Sequence, residues 1–269
     1  MGNFSSNLPI KSKGVIDVMS IRNKRIGEKW YNKYGSELII IDYRNTSEVD
    51  VIFTETKYIK THCKMREIKE GTVISPYDKT VYNIGYIGEG KYSKENNELI
   101  YRKWRAMLER CYSKKLHDKY PTYIGCSVCE EWKCFQNFAK WYEENYYEVP
   151  NTKWMDLDKD ILIKRNKIYS PETCIFVPHE INVIFTKADQ NRGDLPIGVY
   201  WDNYHKKFVM NFSLKGKNIK RKFKTSIEAF LCYKTEKEKY IKEVADEFKP
   251  YIPQKLYEAM YNYKVEITD

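Results

Sequence analysis

A chain of 269 residues that is 42% hydrophobic and 15% aromatic has enough apolar material for packed cores, which excludes a globally disordered protein. Its 47 Lys+Arg against 37 Asp+Glu leave a formal charge of +10, a balance that favours polyanions because neutralised phosphates release condensed counterions. No run approaches the ~18–20 apolar residues of a membrane-crossing helix.

The start, residues 1–14, lacks the apolar centre of a signal peptide, and Gly2 with Ser5 and Ser6 resembles a myristoylation signal only loosely. Seven cysteines without a secretion signal predict reduced thiols and a cytoplasmic setting, such as the cytosol of a bacterial host. No membrane partner is expected. The length accommodates two or three small domains.

Residues 1–25 read as a polar arm. Residues 26–92 read as a small β-rich domain, with strand-like runs Leu38–Tyr43 and Val49–Phe53, then Tyr58-Ile59. Gly71, Pro76, Gly85, Gly88 and Gly90 break the rest of that domain into turns. Within residues 93–193 the period changes to helical. Ile100, Trp104, Met107, Leu108 and Cys111 share one face of a helix over Glu95–Cys111. Phe135, Phe138, Ala139 and Tyr142 share a face of a second, over Phe135–Tyr146. Both stripes predict core packing.

Residues 194–249 form the clearest unit. Ile197–Trp201, Lys207–Phe212 and Ile219–Lys224 read as a three-stranded meander, with turns at Asp202–His205 and Lys215–Asn218. Thr225 and Glu228 make a capping box. The helix they open is expected to bury Ile227, Phe230, Leu231, Ile241, Val244, Ala245 and Phe248, and to stop before Pro250 and Pro253. Residues 250–269 are a tail with a short helix around Leu256 and Met260.

From Asn203 to Ser226 there are eight Lys/Arg and no Asp or Glu. Alternation sets Ile219, Arg221 and Phe223 on one face and Lys220, Lys222 and Lys224 on the other. A helix covers one face of a three-stranded sheet, so the other is free to meet a phosphate backbone or a major groove.

The ordered pattern Gly198-Val199-Tyr200-Trp201-Asp202, basic strands, then Thr225-Ser226-Ile227-Glu228-Ala229-Phe230 resembles the AP2 domains of phage and plant DNA-binding proteins. The resemblance implies a sheet lying in the major groove of double-stranded DNA. It makes Tyr200, Trp201, Lys206, Lys220, Arg221 and Lys222 contact residues, with Lys207, Lys215 and Lys217 beside them.

Gly125–Trp132, Leu157–Ile161, Tyr169–Cys174 and Val177–Asn182 together resemble the HNH-type (ββα-metal) endonuclease-like proteins of phages. In that family a His base activates water, an Asn orients that His, and an acid with a second His holds a divalent ion such as Mg²⁺. The resemblance puts Asp158 and His179 at the metal positions. The base position, however, is Lys159 and the Asn position is Thr173, and lysine is protonated near pH 7. The expectation is therefore either a nuclease scaffold retained for binding or a variant active site.

Cys126, Cys129, Cys134 and Cys174 could hold structural zinc, but a single C-x-x-C favours packing. The segment with Gly27-Glu28, Asp50-Val51, Gly71-Thr72, Pro76-Tyr77 and Gly85–Gly88 resembles a small domain found beside such modules in phage proteins. It is expected to position the others or to add DNA contact.

The fold expectation is α+β and multi-domain: a small N-terminal β domain, a central HNH-like region, and a C-terminal AP2-like sheet and helix. Three functions stand side by side: a DNA-binding protein with a degenerate nuclease core, a metal-dependent homing-type endonuclease, and a protein-interaction factor that blocks a host enzyme.

Overall fold

The computed structural model describes residues 24–185, 194–214, 217–267 and 269, so all but the last two residues of the expected arm lie outside it. The fold is mixed α+β with several small sheets. The chain forms two compact units. One runs to Asn96 and takes in Lys133–Gln136; the other holds Asn97–Trp132 and Asn137–Asp269. The segments expected as residues 93–193 and 194–249 thus fall largely in the second unit.

In the first unit, β1 (Lys29–Tyr31), β2 (Glu37–Asn45), β3 (Glu48–Phe53) and β4 (Ile59–Cys63) form an antiparallel sheet in sequence order, followed by α1 (Met65–Lys69). Period-two alternation sends Leu38, Ile40, Val49, Val51 and Phe53 inward, where Met65 and Ile68 of α1 join them. Buried Asp78 ties the following loop back to the first turn. It accepts from the Asn32 side chain (2.6 Å) and the Ser75 N–H (2.7 Å). Lys133–Gln136 docks here through Tyr86 N–H to Lys133 O (3.0 Å) and Phe135 N–H to Tyr86 O (2.9 Å). A Cβ on Gly90 would stand 2.2 Å from Gln136 Oε1, so a larger residue there would push that amide off its bond with the Tyr92 N–H (3.1 Å).

The second unit opens with α2 (Glu98–Tyr112), whose buried residues are the five expected from the helical period. Trp104 Nε1 donates to Trp132 O at 2.7 Å. Next come α3 (Lys114–Lys119), β5 (Ser127–Val128), α4 (Phe135–Asn145), β6 (Met155–Asp158), β7 (Ile168–Tyr169), β8 (Ile175–Pro178) and α5 (His179–Asn182). Strand β5 pairs with β7 in parallel, and β6 pairs with β8 antiparallel. Trp141 and Tyr142 of α4 pack on Phe176 of β8, with ring centroids 5.2 and 4.8 Å apart. Burying one such aromatic contributes about 1.5–3 kcal/mol, so this cluster is what fixes the β6–β8 ladder against α4.

Strands β9 (Val199–Asp202), β10 (Lys207–Leu214) and β11 (Lys217–Phe223) make the expected meander, ordered β11-β10-β9, and α6 (Ser226–Phe248) and α7 (Gln254–Tyr261) follow. The capping box forms as expected: Glu228 N–H donates to Thr225 Oγ1 (3.2 Å) and Thr225 N–H to Glu228 Oε2 (3.1 Å).

The buried stripe of α6 differs from the expected one. Ile227 and Leu231 are about half exposed and Phe248 is only partly buried, while Tyr233, Lys237 and Tyr240 are buried. The stripe therefore runs 229/230, 233, 237, 240/241, 244/245, and it rotates Ile227 and Leu231 off the sheet. Large amphipathic side chains at 233 and 240 take the sheet contact expected of Leu231. Among the described residues no helix is long and apolar enough to cross a membrane.

Candidate nucleic-acid interface

The β9–β10–β11 register assigns every side chain to a face, because directly opposed residues of an antiparallel pair point the same way. Met210 opposes Arg221 and Val199, and Phe212 opposes Ile219. This is the face that α6 covers: Phe212 lies 6.1 and 5.6 Å from the rings of Tyr233 and Tyr240. The other face carries Tyr200, Lys207, Lys220 and Lys222, with Asp202 as its acid.

Lys222 reaches from β11 to Asp202 on β9 (3.5 Å), so its stem must pass over Val209 of β10, which is only 2% exposed. Asp202 also accepts from the ring and backbone N–H of His205, and the His205 backbone bond leads the contacts that hold its carboxyl down to about 2.

Four of the nine expected contacts therefore share the free face. Trp201 and Arg221 do not. Trp201 packs edge-on to Phe208 at 4.7 Å on the helix side, and Arg221 Nη1 pairs with Glu236 (3.2 Å) and meets Cys232 Sγ (3.4 Å) on α6. Lys206 sits in the β9–β10 turn with φ +51°. Lys217 begins β11 opposite Leu214, and Lys215 lies outside the described residues.

The second expected site surrounds the antiparallel pair β6 and β8, with β7 between them in the chain, and the short helix α5 that follows β8. Its two expected metal residues are not together, although Asp158, Lys159 and Thr173 share one end of the ladder. Asp158 opposes Ile175 at one end of the ladder, while His179 follows Pro178 at the other and bonds through its N–H to Trp154 O (3.1 Å). Four residues of strand separate them, about 13 Å.

The residue that organises this face is Asp156. Its Oδ2 accepts from His179 Nδ1–H (2.8 Å) and from Asn182 Nδ2–H (3.0 Å), two positions one helical turn apart on α5. The His179 ring also lies 4.2 Å from that of Trp154. Asp156 is no part of the motif pattern, yet the sequence carries its signal: Met155 and Leu157 are buried, so alternation places Asp156 beside Asp158 on the open face.

Lys159 is 8% exposed and committed to its own loop, donating to Asn166 O (2.9 Å) and Asp160 Oδ2 (3.1 Å). Thr173 donates to Ile168 O (2.7 Å) within the β7–β8 turn. Asp158 accepts from the N–H groups of Asp160 (2.9 Å) and Ile161 (2.7 Å), but burial, with the neighbouring Asp160 charge, pushes its carboxyl up to about 6. Burial likewise pulls Lys103 below the ordinary lysine range; it donates to Met155 O at 2.6 Å. A cavity of about 470 Å³ opens beside the ladder, lined by Arg110, Asp156, Asp158, Lys164, Arg165 and Tyr169 among others.

Among the described residues no three His, Cys, Asp or Glu side chains converge on one point as a metal site would require. Cys126, Cys134 and Cys174 are buried; the Cys174 thiol is pushed up to about 12 by burial, and Cys134 Sγ–H donates to Ile87 O (3.8 Å). Cys129 is partly exposed. No protein-family model, curated protein or solved structure matches this chain.

Proposed function

We propose that this chain is a cytoplasmic, phage-type protein that binds double-stranded DNA through the free face of β9–β10–β11, an AP2-like module. On this reading the β6–β8–α5 segment is an HNH-like scaffold retained for binding. The supporting observation is the placement of Tyr200, Lys207, Lys220 and Lys222 on the one sheet face that α6 leaves open. Three strands spaced about 4.8 Å apart present a backbone about 10 Å wide, which suits a major groove about 12 Å wide. Lysines supply affinity by neutralising phosphates, and Tyr200 adds a flat apolar surface. With Arg221 turned to α6, the face lacks the fork that reads guanine, so affinity should exceed sequence discrimination.

The test is a fluorescence-anisotropy titration of the full chain with random duplex across a salt series. The reading expects log affinity to fall linearly with log salt, and a shallower slope for K220A/K222A. A salt-independent affinity, or a slope untouched by K220A/K222A, would overturn it and favour a protein-interaction factor.

One arrangement favours a second reading, phosphodiester hydrolysis. Asp156 holds His179 by Nδ1 and leaves Nε2 open as a proton acceptor. Nicking of the same DNA with Mg²⁺ that is lost in H179A would establish it. No nicking in either protein leaves binding as the function.

A further inference from the structure

The loop between β6 and β7 is rigidly presented. Asn166 staples its two ends, donating through Nδ2 to Lys159 O (2.7 Å) and Ile168 O (2.6 Å). At its tip stand Lys164, Arg165 and Lys167, three cations in four residues, and all three line the mouth of the cavity.

The tip is already occupied by anions from the same chain. Lys164 Nζ donates to Asp269 Oδ2 (2.7 Å) and lies 3.4 Å from Glu266 Oε1, and Arg165 Nη2 pairs with Glu266 Oε2 at 2.6 Å. Asp269 Oδ2 also accepts from the Tyr263 hydroxyl (3.2 Å) and the Glu266 N–H (2.9 Å). Lys164 and Arg165 thus hold two carboxylates through the ammonium and guanidinium donors that equally suit phosphate oxygens. The segment is anchored away from the loop by Val265, which is 1% exposed and whose N–H donates to Glu238 of α6 (2.8 Å).

We propose that the tip of the β6–β7 loop is a second contact for the phosphodiester backbone of duplex DNA, and that Glu266 and Asp269 cover it as internal stand-ins for phosphates. This rests on the DNA-binding reading above. Arg165 and Glu266 are both about half exposed, so their pair is weak and a polyanion that releases counterions can displace it. Displacement opens Lys164 and Arg165 to phosphates beside the cavity and adds two contacts to those of the sheet.

The test compares duplex affinity and its salt slope for the full wild-type chain, E266Q/D269N, K164A/R165A, the four-fold combination, and K220A/K222A. Opening the latch should tighten binding on the order of 10–30-fold at physiological salt with the slope unchanged, whereas K164A/R165A should make the slope shallower by about 1.8, at about 0.9 per phosphate. The gain should vanish when K164A/R165A is also present. A gain that persists without Lys164 and Arg165, or no gain at all, overturns the proposal.

The two readings separate cleanly. If wild type binds, K220A/K222A weakens it and the opened variant gains nothing, the sheet stands and the latch falls. If only the opened variant binds, through Lys164 and Arg165, the latch stands and the sheet falls. Should D269N unfold, since Asp269 is 2% exposed, E266Q alone releases Arg165 from its pair and should tighten binding about 2–5-fold. An unchanged affinity there overturns the proposal as well.

Discussion

Replacing Asp158 with asparagine should stabilise this protein near neutral pH and leave it unchanged in acid. An unfolded aspartate titrates near 3.9, whereas burial and the Asp160 charge raise Asp158 to about 6 in the fold. Between those values the native state binds more protons than the unfolded one, so stability falls as pH rises through the window. The penalty is absent below the unfolded pKa and complete above the folded one.

Two pKa units correspond to about 3 kcal/mol as a ceiling. Asp158 keeps one side open to the cavity, so about 1–2 kcal/mol is the working expectation. Asparagine preserves an oxygen for the Asp160 and Ile161 N–H groups and removes the buried charge. Urea unfolding of wild type and D158N at pH 4 and pH 7.5 measures the difference. A gain for D158N confined to pH 7.5 is the expected result. Equal effects at both pH values, or a loss at pH 7.5, would refute the buried-charge reasoning.

Gly198 has φ +74°, and an added Cβ would fall 2.1 Å from the buried Tyr233 ring, so G198A should cost about 3 kcal/mol from overpacking and left-handed strain together. A wild-type thermal midpoint for G198A would contradict that packing. R221A should leave the DNA sequences recovered by selection unchanged and alter stability by about 0–1 kcal/mol, since Arg221 pairs with Glu236 at a half-exposed position. A changed motif would show that the guanidinium leaves α6 to read bases.

Much of the fold is legible in residue spacing. The α2 stripe, the capping box at Thr225 and Glu228, and the three-stranded meander all follow from local periodicity and cap chemistry, and all three form. The split of Arg221 from Lys220 and Lys222 is equally readable from alternation, but which face α6 covers is not. That depends on Tyr233 and Tyr240 meeting Phe212, a tertiary contact that no strand pattern encodes.

The motif resemblance points to Asp158 and His179, whereas the β6–β8 register separates them and makes Asp156 the partner of His179. Register is a pairing between distant segments, so a linear motif cannot supply it. The docking of Lys133–Gln136 beside Tyr86, and of Glu266 on Arg165, are likewise long-range choices made by backbone and charge partners far apart in the chain.

The most direct test of the proposed DNA-binding face is lysine footprinting by an amine-reactive reagent and mass spectrometry, with and without saturating duplex. Lys207, Lys220 and Lys222 should lose reactivity on binding while Lys239, exposed on α6, reacts as before. Unchanged reactivity at all three sheet lysines in a protein that demonstrably holds DNA would contradict the assignment of that face.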